Sequence, residues 1–258
     1  MKTLELITRL ISFAVFLQGL EIILIRHAWA KNGPWDWEIL RKEYSPKFQK
    51  YLSVFFDEKY FLILICIQIS VAAINVFTAQ LLGNGVLLFT TVLIAVRFRG
   101  TFNGGSDYMT TLILLAVFIA GFCPDDSIGQ LACFAYIGIQ TILSYFIAGL
   151  TKLKEKSWRN GRAIKQFLLY SNYPVDTNTK ALVKKPLFAL MASVIILLFE
   201  CTFPLVLLDK RICLIYLCIG FLFHLENFFV LGLNRFVFAW LAAYPALYYL
   251  SDYIRWEK

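Results

Sequence analysis

Charge and histidine are both scarce in this chain. Only 16% of its 258 residues are Asp, Glu, Lys or Arg, where a soluble domain carries about a quarter. That shortage excludes an ordinary soluble domain. The two histidines, His27 and His224, are too few and too far apart for a dedicated metal cluster, so no metal is expected. The six cysteines, Cys66, Cys123, Cys133, Cys201, Cys213 and Cys218, include no Cys-x-x-Cys pair and mostly fall in apolar stretches. They read as small apolar side chains, which speaks against a disulfide frame, a metal cage or a thiol–quinone oxidoreductase with its closely spaced redox pair. The segment 97–107 is glycine-rich, but it has no preceding strand and no lysine at the offset a phosphate-binding loop needs. The formal charge is +8, yet no basic helix with interleaved aromatics stands apart from the apolar stretches. Nucleic acid is therefore not an expected partner, and the basic residues fit loops at lipid headgroups.

What fills the chain is apolar: 59% of residues are hydrophobic and 17% aromatic. Stretches long enough to span a bilayer as a helix recur along it. The expectation is an all-α integral membrane protein of about eight transmembrane helices with one or two interfacial amphipathic helices. The spans read as residues 4–26, 60–82, 86–96, 108–122, 130–152, 186–208, 211–233 and 236–253. The first contains Glu5, Arg9, Gln18 and Glu21, unlike the clean apolar core of a cleaved signal, and Arg9 and Glu21 mark it as facing other helices. Trp29, Trp35 and Trp37 beside basic residues suggest the headgroup layer. Residues 46–56 and 158–170 read as interfacial helices. Gly83-Asn84-Gly85 reads as a tight turn, and Asp107 as a helix N-cap. Pro245 predicts a kink. The whole chain, 1–258, is expected to be one transmembrane domain without a separate soluble one.

Lys152 is the residue around which the chemistry is read. It ends an apolar run reaching back to Leu131, on a partly polar stripe with Gln140, Ser144 and Ala148. A lysine in a low-dielectric pocket is a candidate base, because desolvation disfavours the charged form. The same lysine also fits a snorkelling cation at a helix end that holds lipid headgroups. Glu200 lies deep in its span, where a carboxylate is costly and is usually paired or functional. His224 and Asn227 are three apart and share a helix face. With alternate sides assigned, most of the 25 Lys and Arg residues fall on the side of Lys152, and the positive-inside rule makes that side cytoplasmic.

Three stretches carry a resemblance. Tyr145-Phe-Ile-Ala-Gly-Leu-Thr-Lys-Leu, followed by Trp158 and Gly161, resembles the membrane domain of vitamin K-dependent gamma-glutamyl carboxylase and the related horizontally transferred transmembrane (HTTM) family. Phe223-His-Leu-Glu-Asn227, continuing through Asn234-Arg235-Phe236 to Tyr244-Pro245, is similar to a second signature of that family. Phe102-Asn-Gly-Gly-Ser-Asp107 resembles a polar loop that many bacterial members carry. The resemblance implies packed helices around a polar pocket open to a lipid-borne quinone. It implies Lys152 as the base that starts oxidation of a reduced quinone of the vitamin K type, with His224 beside it as a second catalytic residue. Asn103, Ser106, Asp107, Trp158, Glu200, Asn227 and Asn234 then become pocket residues. It also implies a multi-pass protein of the bacterial plasma membrane.

The chain departs from the carboxylase in two ways. The polar loop has no histidine, and the sequence stops soon after the last span. Protein glutamate carboxylation is therefore not expected. In the carboxylase the lysine loop faces the lumen, opposite to the charge count here. The expected function is a membrane enzyme acting on a quinone or other lipid-soluble substrate with Lys152 as base. The alternative is a non-catalytic factor for maturation, export or immunity of a small secreted peptide. A transporter would show repeats or matching broken helices, and none stands out.

Overall fold

The structure is a computed structural model and describes residues 2–100 and 104–256. It is 84% helix, with no strand among the described residues. The chain divides into two compact units, Met1–Cys133 and Phe134–Lys258.

The first unit contains α1 (Thr3–Leu24), the short α2 (Arg26–Trp29) and α3 (Trp37–Leu40), α4 (Pro46–Phe56), α5 (Glu58–Thr78), α6 (Leu81–Arg97) and α7 (Gly105–Ala120). The unit boundary falls in the first turns of α8 (Ile128–Lys154). The second unit continues through α9 (Lys156–Arg159), α10 (Arg162–Tyr170) and α11 (Thr177–Val183). It ends with α12 (Pro186–Thr202), α13 (Lys210–Leu231) and α14 (Asn234–Trp256).

Among the described residues, five helical segments are long and apolar enough to cross a membrane: Thr3–Leu24, Glu58–Thr78, Ile128–Lys154, Pro186–Leu207 and Lys210–Leu231. Half of the first and two thirds or more of each of the others is not buried within the protein, down to 22% buried along α13, so apolar side chains such as Leu214, Ile215 and Leu222 face outward. Apolar surface of that extent on several sides of a helix suits lipid, not water. The other three expected spans are helical too. Leu81–Arg97 and Gly105–Ala120 are shorter apolar helices, and α14 runs on through Pro245.

Polar groups tie the first unit together inside its apolar helices. The Asn75 amide donates to Ser12 Oγ at 3.0 Å and to Asn84 Oδ1 at 2.9 Å, while its oxygen accepts from the Gln80 N–H at 2.8 Å. This moves the expected turn. The chain reverses at Ala79, in the left-handed region with φ 49°, and Gly83-Asn84-Gly85 is already inside α6. Gly83 is needed for closeness: a Cβ there would stand 2.4 Å from Asn75 Oδ1. Trp29 and Trp37 also depart from expectation. They are 1% and 3% exposed and pack with Phe56, Phe61 and Phe98 instead of lining a headgroup belt. The Arg97 guanidinium joins them, 5.7 Å from the Trp37 ring and 5.3 Å from that of Phe61. Cation–π attraction of this kind strengthens away from water.

The long basic connection before α12 is not a free loop. Trp158, Ile164, Leu168 and Val183 form an apolar cluster with Ala189, Ala192 and Ile196 of α12. The expected helix at 158–170 is broken by Gly161, which takes φ 75° and lies so close to α12 that a Cβ would be 2.6 Å from the Leu190 nitrogen. Only glycine meets both demands without strain.

Candidate functional site

The buried face of α8 runs through Phe134, Ile137, Thr141, Tyr145 and Gly149. Spacings of three and four residues keep these side chains on one side of a helix. Gly149 lets α12 approach: a Cβ there would meet the Cys201 nitrogen and Glu200 Cβ, each at 2.8 Å. One turn further, Lys152 meets Glu200 head-on. Its Nζ donates to Oε1 at 2.5 Å and to Oε2 at 2.6 Å. The Glu200 side chain is 3% exposed and that of Lys152 23%. The pair answers the cost of a carboxylate at depth in an apolar helix, because each charge is met by its opposite. Lys152 Nζ also sits 5.3 Å from the centre of the Trp158 ring. Trp158 is fixed in turn by its backbone, whose carbonyl accepts from the Ser193 hydroxyl of α12.

Lys152 and Trp158 open onto a cavity of about 890 Å³ within the second unit. Helix α10 supplies apolar wall, including Ile164 and Phe167, and α12 supplies Phe188 and Ile196. Helix α13 contributes Phe223, Glu226, Asn227, Val230 and Leu231, a continuous stripe at helical spacing. The cavity is thus largely apolar and aromatic, with an ion pair at one wall and a carboxylate and an amide at another. That is the usual make-up of a small-molecule site, in which a few polar groups orient an apolar ligand.

His224 is not on this wall. It is 4% exposed, and its Nε2 lies 2.6 Å from the Tyr145 hydroxyl, which in turn lies 3.0 Å from the Tyr244 hydroxyl. Phe199, Phe203, Phe236 and Trp240 surround this line of three. The arrangement is a polar thread inside an aromatic core. Gly220 gives it room, since a Cβ there would be 2.6 Å from the Tyr244 oxygen. Asn234 is off the cavity wall as well; it opens α14, and its Oδ1 accepts from the Arg235 N–H at 2.8 Å.

Of the sequence candidates, the second unit therefore brings together Lys152, Glu200, Trp158 and Asn227, and holds His224 and Asn234 elsewhere. Ser106 and Asp107 belong to the first unit, 1% and 6% exposed in the first turn of α7. The N-cap position of α7 is Gly104, so Asp107 is inside the helix, where its Oδ1 accepts from Gln18 Nε2 at 3.2 Å. Asn103 lies outside the described residues. Two kinds of residue escaped the reading of the sequence. Glu226 was legible as a member of the Phe223–Leu231 stripe. Tyr145 and Tyr244 lie in the two stretches that carry the resemblance, but nothing local to either one pairs it with the other or with His224.

Comparison with curated proteins and with solved structures returns no match. The model of one family does match: residues 126–252, which include the cavity, the ion pair and the tyrosine–histidine thread, fit the HTTM domain.

Proposed function

We propose that the chain is a multi-pass membrane enzyme of the vitamin K-dependent carboxylase-like class. It holds a lipid-soluble, hydroxyl-bearing aromatic substrate such as a hydroquinone in the cavity of the second unit. In this reading all eight helical elements of span-like position cross the bilayer as one domain. The observation that carries the proposal is the Lys152–Glu200 pair at the wall of a mostly apolar cavity. About 890 Å³ is room for a two-ring head and part of an isoprenoid tail. Trp158, Phe167 and Phe223 offer flat apolar surface to such a ring, and Asn227 offers a donor and an acceptor to its oxygens.

The chain's own groups can move a proton. Transfer of one proton across the Lys152–Glu200 contact turns ammonium and carboxylate into amine and acid. The amine then accepts the hydroxyl proton of the substrate, as a base held within reach of it. Glu200, at 3% exposure, is shielded from water on its own side.

The test uses the full chain in lipid nanodiscs, supplied with menaquinol and oxygen, with products followed by mass spectrometry. Wild-type protein should form an oxidised product and Lys152→Ala none. Absence of product together with absence of quinol binding in both would overturn the enzyme reading. It would favour instead a non-catalytic factor whose cavity receives a small peptide.

A further inference from the structure

Two charged side chains line the cavity, Lys152 and Glu226. Their situations differ. Lys152 is matched, with both oxygens of Glu200 on its ammonium. Glu226 reaches the wall from α13 and has neither hydrogen bond nor ion pair among the described residues. The basic residues Arg162, Lys165 and Lys180 of the connection are not on the wall. The cavity therefore presents one uncompensated carboxylate and no uncompensated cation. Glu226 also sits in the middle of an otherwise apolar stripe, between Phe223 and Val230 and beside Asn227. The Glu226 side chain is exposed, so its carboxylate is open to whatever occupies the cavity.

We infer that the cavity selects lipid-borne amphiphiles whose head donates a hydrogen bond and carries no negative charge, a hydroxyl or an ammonium, and that Glu226 makes this selection. This rests on the reading of the cavity as a ligand site. A hydroxyl or ammonium gives Glu226 the donor it lacks. A fatty acid or a phosphate head brings a like charge beside it, and Lys152, already engaged by Glu200, is not free to offset that charge. The neighbouring Asn227 amide can satisfy either kind of head and so does not discriminate. Glu226 thus acts on which molecule enters, and is separate from the proton transfer assigned to Lys152.

The experiment uses the full chain in nanodiscs of zwitterionic lipid and three photoreactive probes with the same twelve-carbon chain: an alcohol, a primary amine and a carboxylic acid. Crosslinks are mapped by peptide mass spectrometry. Labelling of α10 and α13 is normalised to labelling of the outward face of α5, where Ile63 and Ile67 are exposed, which corrects for partition into the bilayer. The alcohol and the amine should label the cavity peptides, and the acid about tenfold less, the ratio that one uncompensated charge interaction produces. Glu226→Gln should raise the acid to the level of the alcohol and lower the labelling by the amine, which loses its opposite charge. Equal labelling by acid and alcohol in the wild type would overturn the inference, as would an acid-to-alcohol ratio that Glu226→Gln leaves in place. If no probe labels the cavity peptides while α5 is labelled, the ligand-site reading itself falls and the inference falls with it.

Discussion

Lys152 and Glu200, forty-eight residues apart, form an ion pair with contacts of 2.5 and 2.6 Å, and Gly149 one turn before the lysine lets their helices come close enough to make it. The pair is both the candidate proton-handling device and a structural joint, and the two roles must be separated by experiment. Removing the lysine alone leaves a 3% exposed carboxylate without its cation. Breaking a buried pair in this way costs about 3–5 kcal/mol. Lys152→Met should therefore lower the unfolding midpoint in detergent clearly, and Glu200→Leu added to it should recover most of the loss. The double variant should remain inactive, which would assign the lost activity to the pair and not to misfolding. A double variant no more stable than the single one would show that the pair does not hold the helices together.

The thread of Tyr145, His224 and Tyr244 makes a different prediction. The Tyr145 hydroxyl stands between the other two, at 2.6 and 3.0 Å. Tyr145→Phe keeps the ring that stacks on Phe203 at 4.1 Å and takes away only the oxygen. Two buried polar groups then lose a partner, at about 1–3 kcal/mol for a group left unsatisfied. Thermal unfolding should show this loss. Labelling of the cavity by the alcohol probe should be unchanged, because none of the three residues lines the cavity. A loss of labelling without a loss of stability would instead connect the thread to the ligand.

Helix placement was largely legible in the sequence and helix pairing was not. Residues 46–56 were expected as an interfacial helix and form α4 with those bounds, because Pro46 starts it and an amphipathic pattern runs to Phe56. Pro186 likewise opens α12. Apolar length and start signals are local, so a single sequence shows them. The stripe chosen on α8 was Gln140, Ser144, Ala148 and Lys152, which is half-buried; the fully buried side is the adjacent one, with Thr141, Tyr145 and Gly149. The stripe says nothing of the adjacent face, because in a membrane protein a helix face is buried by small and aromatic residues as readily as by polar ones. His224 was placed beside Lys152 by the family resemblance, and its spacing put it on one face with Asn227. One turn of helix was enough to send Asn227 to the cavity and His224 into the aromatic core.

Asn75 supplies a third test, in the first unit. Its side chain bonds to Ser12, Asn84 and the Gln80 N–H, joining α1, α5 and α6. Interhelical hydrogen bonds in membranes average about 0.6 kcal/mol and reach about 1.7. Asn75→Leu should cost about 2 kcal/mol in total, read as a lower unfolding midpoint. Gly83→Ala should act through the same network, since its Cβ would displace the Asn75 oxygen now 2.4 Å away. The two substitutions should be strongly non-additive, as expected for residues sharing one set of contacts. Additive losses would mean that Gly83 is needed for some other reason.

The last prediction concerns acid. Asp176 caps α11, accepting from the Asn178 N–H at 2.8 Å and the Thr179 N–H at 3.0 Å. Hydrogen bonds from Thr179, through its side chain first and its N–H second, hold the Asp176 carboxyl below its usual value, and the Asn178 N–H adds to this. A carboxyl whose value is lowered by folding stabilises the folded state in its ionised form. Its contribution is complete above the unfolded value, near 4 for an aspartate, and is lost as the pH falls from there through the lowered folded value. Exchange of the Asn178 and Thr179 amide hydrogens, corrected for the intrinsic rate, should therefore be protected at pH 6 and lose protection below about pH 4. Asp176→Asn keeps the capping oxygen and removes the titration, so its protection should vary little over that range. Because α11 carries Thr179 and Leu182 of the cavity wall, opening of this turn should also raise the rate at which the alcohol probe enters. A cavity whose labelling rate is the same at pH 3.5 and pH 6, despite lost protection at Asn178, would show that α11 is not on the ligand's way in.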